Sequence, residues 1–220
     1  MCGRFTLIHS VEALVEAFEI EEVLFTPSPS YNIPPGQVVP AVVCEGGVRK
    51  LVGLKWGLVP AWAEDPKIGN RMINARAETV ASKPAFRDAF RKRRCIVPAS
   101  GFYEWKRENS GKEPYYFYRP DGKPLGMAGI HERWVSPEGD ELHTCAIITV
   151  DSLPPVSEVH GRMPLLLDGE ELSLYLDPEA PLPRVARLLS SFTPPPLSCH
   201  RVSRAVNSPA VDAPVCIERV

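Results

Sequence analysis

The sequence has six cysteines, at positions 2, 44, 95, 145, 199 and 216, but no CxxC pair and no histidines at zinc-finger spacing. A zinc site, or a metal of any kind, is therefore not expected. Residues 1–20 lack the basic start and continuous apolar stretch of a secretory leader, and no apolar run approaches the ~20 residues of a membrane span. A cytoplasmic protein with free thiols and no membrane partner is the expectation. Excess charge of one sign is also missing, since 25 Lys and Arg face 27 Asp and Glu for a net charge of -2. Any polyanion must then be held by a local patch. No internal repeat is visible, and the 24 prolines are spread along the chain, where they shape turns and do not mark a disordered tail.

What is present is a chain of 220 residues, 44% hydrophobic, enough for one sizeable core and read as one domain over 1–220. "SVEALVEAFEI" has helical spacing behind Ser10, a residue suited to an N-cap. "TPSPSYNIPPGQ" reads as a loop, and strands dominate from "VVPAVV" through "VRKLVGLKWGLVP". "KPAFRDAFRKRR" predicts a short basic helix with Pro84 in its first turn. "CIVPASGFYEWKR", "PYYFYRPDGKPLGMAGIHERW" and "LHTCAIITV" predict consecutive antiparallel strands, with "PDGK" as a hairpin turn. "GEELSLYL" and "LPRVARLLSSF" supply later helices. Strands in succession without helical crossovers imply an α+β fold of curved, mainly antiparallel sheet forming an open barrel with peripheral helices. Cys95 and Cys145 lie in strand-like apolar runs and read as core.

The chain opens "MCGRF". A side chain as small as cysteine generally permits removal of the initiator methionine, which makes Cys2 the expected mature N-terminus. Such a residue joins a thiol of pKa about 8.5 to an α-amine of pKa about 7.7–8.0. The amine condenses with an aldehyde to an imine, and the thiol closes on the imine carbon to a thiazolidine. Alternatively, the thiolate attacks an amide with the amine as its base.

Three further stretches place polar residues where packing alone would not ask for them. "MINARAET" sets Asn74 and Arg76 two apart, on one face of a strand. "ASGFYEWK" places Glu104 among aromatics, where desolvation raises a carboxyl pKa and fits it to hold a proton near neutrality. "SEVHGRMP" brings His160 beside Arg162, and an imidazole near pKa 6.5 is the natural acid-base group. Each also has a structural use: Asn74 in a turn, Glu104 paired with Lys106, His160 as a cap.

Together "MCGRF", "YNIPPGQ", "WGLVPAW", "INARAET", "RCIVPASGFYEW", "VHGRMP" and "VSRAVNSPAVDAPVCI" resemble the ordered signature blocks of the SOS-response-associated peptidase family of abasic-site processing proteins. The resemblance covers nearly the whole chain. It implies twisted antiparallel sheets around a basic cleft and a covalent bond between the N-terminal cysteine and the ring-opened aldehyde of an abasic site in single-stranded DNA. By the same resemblance Cys2 is the nucleophile, Asn74 orients the sugar or amine, Glu104 protonates the adduct and His160 assists sugar-ring opening. Arg4, Arg76 and Arg162 fit phosphate contacts, while Pro35 and Trp62 fit a wedge or stacking surface for flanking bases. Family members often have an arginine near "ASKPAF", where this chain has Lys83. No cofactor and a monomeric state are expected.

Three other functions stay open from sequence. Class II glutamine amidotransferases also begin with a processed cysteine, but they follow "MCG" with an apolar residue where this chain has Arg4. A thiol autopeptidase could use Cys2, Glu104 and His160, and lyase activity at the lesion is a further expectation. In the last case the chain binds single-stranded DNA without chemistry and Cys2 is incidental.

Overall fold

The computed structural model describes residues 2–109 and 111–220. In chain order the first half contains β1 (Phe5–Leu7), α1 (Val11–Phe18), β2 (Glu22–Val23), β3 (Ser30–Ile33), β4 (Val38–Glu45), β5 (Val48–Trp56), β6 (Asn74–Arg76), α2 (Ala77–Val80) and α3 (Arg87–Lys92). The strands β7 (Arg94–Ala99), β8 (Gly101–Glu108), β9 (Gly111–Tyr118), β10 (Leu125–Val135) and β11 (Glu141–Asp151) follow. Last come β12 (Arg162–Pro164), β13 (Leu166–Leu167), α4 (Gly169–Leu176), α5 (Leu182–Leu188) and β14 (Ser198–Arg201). No helix among the described residues is long and apolar enough to cross a membrane.

The fold is α+β with curved, mainly antiparallel sheets, and its barrel is closed where the sequence suggested an open one. Strands β5, β4, β7, β10 and β11 pair in that order, and β11 returns to β5 through the parallel pairs Thr144↔Lys55 and Cys145↔Trp56. Closure removes the sheet edges that an open barrel would expose. Apolar residues on both faces of these strands are buried, with Ile96, Val97, Ile130, Cys145 and Ile147 wholly so. Both cysteines expected in the core, Cys95 and Cys145, are there.

A second sheet runs β14-β9-β8-β1-β3. Strand β7 of the barrel passes into β8 of this sheet with Ser100 alone between them. The two layers meet through Phe5 of β1 and Trp56 of β5, whose rings lie 5.1 Å apart at 59°, a tilted arrangement that adds to simple burial.

Ser10 caps α1 as expected, its hydroxyl accepting the Ala13 N–H at 3.3 Å. Elsewhere tertiary pairing overrides local signals. The Pro/Ser-rich "TPSPSYNIPPGQ" contains strand β3, because Ile33 pairs with Phe5 and Ser30 with Leu7. "PDGK" is not a hairpin: β9 and β10 belong to different sheets. The Asp121 carboxylate stabilises the bend by accepting from Arg119 at 2.9 and 2.6 Å and from the Lys123 N–H at 3.1 Å. Helix α3 begins only at Arg87, so Pro84 precedes it. The last arginine of "RKRR" is structural: buried Arg94 donates to the carbonyls of Tyr175, Phe90, Arg91 and Asp177 at 2.6–3.1 Å.

Between β5 and β6 a loop displays Trp62, which is 61% exposed. Its stem is tied to the barrel by Gly57 N–H to Cys145 O (2.8 Å), Leu58 N–H to Met72 O (3.1 Å), Val59 N–H to Thr144 Oγ1 (2.9 Å) and Trp134 Nε1–H to Ala63 O (2.7 Å). Across that stem Gly57, at φ +134°, approaches Gly69 so closely that a Cβ on Gly57 would lie 2.7 Å from the Gly69 oxygen. Gly57→Ala should therefore destabilise the protein by about 1–3 kcal/mol, the usual cost of a strained backbone position. Urea unfolding should show a lower midpoint at unchanged slope; an unshifted midpoint would show that the stem yields without cost.

Candidate active site

Four of the nine residues singled out in the sequence are brought together where the second sheet meets the barrel. Cys2 lies three residues before Phe5, the start of β1, and is wholly buried. Asn74 is carried on β6, which pairs in parallel with β11 (Ile147↔Asn74). Its Nδ2 donates to the Cys2 carbonyl at 2.8 Å, fixing the first described peptide against the barrel. Glu104 lies on β8, cross-strand from Tyr115, and is 2% exposed. His160 follows a short 3-10 turn at Val156–Glu158; its Nδ1 is 3.6 Å from Glu104 Oε2. The Arg162 N–H donates to that same Nδ1 at 3.1 Å, and Ser152 Oγ donates to the His160 carbonyl at 2.6 Å. The imidazole is thus held on both its ring and its backbone.

Burial sets the protonation of this group. It raises the Glu104 carboxyl from the usual 4.5 to about 7, because a charge without water around it is costly. It also holds His160 below the ordinary imidazole value, the positive charges of Arg107 and Lys112 acting in the same sense. The Cys2 thiol is pushed well above its usual range by burial and then by the negative charge of Glu104, while the Arg4 backbone amide acts in the opposite direction. At neutral pH the site combines a protonated thiol, a neutral imidazole and a carboxyl poised to exchange a proton. Groups with separated proton affinities of this kind suit acid-base work.

Glu104 and His160 line a cavity of about 690 Å³, walled also by Trp105, Lys106, Arg107, Lys112, Glu158, Val159, Gly161 and Asn207. Trp105 Nε1–H donates to Asn207 Oδ1 at 2.7 Å, which fixes that wall. Among the described residues no group of three or more His, Cys, Asp and Glu is placed to hold a metal ion.

The arginines differ from one another. Arg4 Nη1 donates to Asn32 Oδ1 at 2.7 Å and to the Val206 carbonyl at 2.9 Å. Arg162 bonds Glu78, Asp151 and the Thr149 carbonyl at 2.6–2.7 Å. Arg76 is exposed. Trp62 stands outward on the stem described above, which closes through Trp56 Nε1–H to Ile73 O at 2.9 Å, one residue from Asn74. Pro35 is half-buried in the turn after β3. The expected removal of Met1 concerns a residue outside the described ones.

Sequence reasoning passed over Asn32, buried in "YNIPPGQ". Its Nδ2 donates to the carbonyls of Val206, Ser208 and Val211 at 3.2, 3.0 and 2.6 Å, tying the block near the C-terminus to β3. It also passed over Arg107, Lys112 and Asn207, whose place in the cavity wall depends on the β8–β9 register and on the C-terminal chain.

In fold the molecule is similar to a protein of Bacteroides thetaiotaomicron, with a TM-score of 0.84 and 27% identity over the whole of both chains. It is similar also to a phage-related protein of Bordetella bronchiseptica, with a TM-score of 0.74, 31% identity and 92% and 95% of the two chains covered. Residues 1–209 match the family described as SOS response associated peptidase, and the chain belongs to that family. It is 40% identical over 224 residues, 99% of each chain, to the abasic site processing protein YoqW of Bacillus subtilis strain 168. It is 36% identical over 222 residues, 86% of this chain and 66% of the other, to the abasic site processing protein HMCES of Gallus gallus.

The raised Glu104 pKa has a consequence for stability. The unfolded chain releases that proton near pH 4.5 and the folded protein near 7, so the native state binds more protons between these values. The stabilisation is full below pH 4.5 and is lost as pH rises through about 7. Glu104→Gln should flatten this dependence, worth at most about 3 kcal/mol. Urea denaturation of both proteins at about pH 5 and about pH 8 measures it; parallel behaviour would assign the proton to another group.

Proposed function

We propose that this protein processes abasic sites in single-stranded DNA by trapping the ring-opened sugar aldehyde on Cys2 as a thiazolidine. The observation that carries the proposal is the convergence of Cys2, Asn74, Glu104 and His160, with a buried carboxyl titrating near neutrality. The names of two relatives, both abasic site processing proteins, agree with it. Removal of Met1 exposes the α-amine of Cys2. His160 moves the proton that opens the closed sugar, and the amine adds to the aldehyde carbon. Loss of one water gives the imine. The sulfur then bonds to the imine carbon and its proton passes to the nitrogen, with Glu104 as the shuttle. The thiol enters that step protonated, the form that burial of Cys2 favours, and gives up its proton as the C–S bond forms. The reaction as written uses no metal or cofactor. Arg4, Arg76 and Arg162 serve as phosphate contacts, and Pro35 and Trp62 as the surface for flanking bases.

Purified protein mixed with single-stranded DNA bearing one abasic site should lack Met1 and gain the mass of the strand less one water. Retained Met1 or no heat-stable adduct in the intact-mass spectrum refutes the mechanism. Cys2→Ala should abolish the stable adduct while leaving an imine that borohydride traps. His160→Ala should slow formation toward the low end of the ~10²–10⁴-fold worth of acid-base assistance, since sugars also open spontaneously. Glu104→Gln should slow formation and reversal together; faster release of DNA would remove Glu104 from the shuttle.

Trp62 adds a separate expectation for binding. Trp62→Ala should weaken non-covalent binding of a single strand by about 1–3 kcal/mol, the worth of one stacked base, with the adduct rate at saturation unchanged. Fluorescence anisotropy checks it, and undiminished affinity would exclude stacking on Trp62.

A further inference from the structure

The β8–β9 hairpin runs on past Glu104 to the pair Arg107↔Lys112, two cations directly opposite each other. Like charges at such positions repel and weaken a strand pair. Of the acids on this hairpin, Glu104 belongs to the site, Glu108 ends β8 directly after Arg107, and Glu113 is engaged by Arg201 and Arg204. The ion pairs among the described residues, such as those of Glu113 with Arg201 and Arg204 and of Arg162 with Glu78 and Asp151, include neither Arg107 nor Lys112. Both are exposed, yet both line the cavity whose other wall holds His160. A local rule broken without compensation at the mouth of a reaction cavity is the mark of a functional position.

We propose that Arg107 and Lys112 form a phosphate clamp that grips the backbone of the substrate strand on one side of the lesion, a contact that rests on the function proposed above. The missing counter-ion is then the substrate's own phosphate. Its arrival relieves the cross-strand repulsion and draws the strand along the hairpin toward Glu104. Their field already reaches the His160 imidazole, which places the clamp within electrostatic range of the chemistry without contact to the reacting atoms. These are positioning residues.

The probe is a short single strand carrying a tetrahydrofuran abasic analogue, which has no aldehyde and so reports binding apart from chemistry. Arg107→Gln with Lys112→Gln should weaken its binding several-fold and make the log-log salt dependence shallower by about 0.7 for each phosphate lost. Arg107→Lys, which keeps the charge, should restore most of the affinity to a protein with Lys112 intact. With a natural abasic site the double variant should raise the half-saturating DNA concentration by more than it changes the crosslinking rate at saturation. Cutting the strand back to the lesion from one end should erase the difference from the parent protein, while cutting from the other end should preserve it. An unaltered salt slope, a deficit that persists with both truncations, or a loss confined to the saturated rate would overturn the clamp. If the parent protein forms no adduct with the natural site but the salt slope still responds to the double variant, the proposed chemistry falls and the phosphate contact stands.

Discussion

Exclusion of water from the seam between the barrel and the second sheet is the constraint on which the rest depends. A carboxyl at Glu104 and a thiol at Cys2 are buried there, and desolvation, joined at the thiol by the negative charge of Glu104, changes what each group is at neutral pH. The carboxyl becomes a proton reservoir and the thiol keeps its hydrogen. Neither property belongs to the residue type; both come from burial in the fold. The Asn74–Cys2 bond holds the beginning of the described chain in that seam against the entropy of a terminus, which would otherwise fray.

The same seam explains why chemistry-bearing residues lie so far apart in sequence. β6 and β12 are both partners of β11, so Asn74 and Arg162, far apart in sequence, arrive at one strand. β1 and β8 are neighbours, so Cys2 and Glu104 arrive together at another. His160 is delivered by the turn that joins β11 to β12. A net charge of -2 says nothing against a polyanionic ligand, because a local distribution of cations decides such binding.

Much of this was legible in the sequence. Helix α1 followed from Ser10 and the spacing of Leu14 and Phe18, and the succession of apolar runs indicated curved antiparallel sheet. The polar residues Asn74, Glu104 and His160 stood out because nothing about packing requested them. Two kinds of information were not local. Whether "PDGK" joins paired strands depends on which sheet each strand enters, and that is decided by partners far along the chain. Likewise the engagement of Arg4 by Asn32 and Val206, or of Arg162 by Glu78 and Asp151, depends on tertiary neighbours, so an arginine beside a motif reads as a ligand contact and a structural clamp equally well.

Ser100, the single residue between β7 and β8, carries a mechanical implication. Because one almost unbroken strand belongs to both layers, there is no linker about which the second sheet could swing from the barrel. Parting the seam would require breaking the ladder of β7, all six residues of which are buried, or the buried first half of β8. Cooperative units defined by such shared elements open together or not at all. The shape of the cavity beside Glu104 and His160 is thus set when the chain folds, and accommodation falls to whatever enters it.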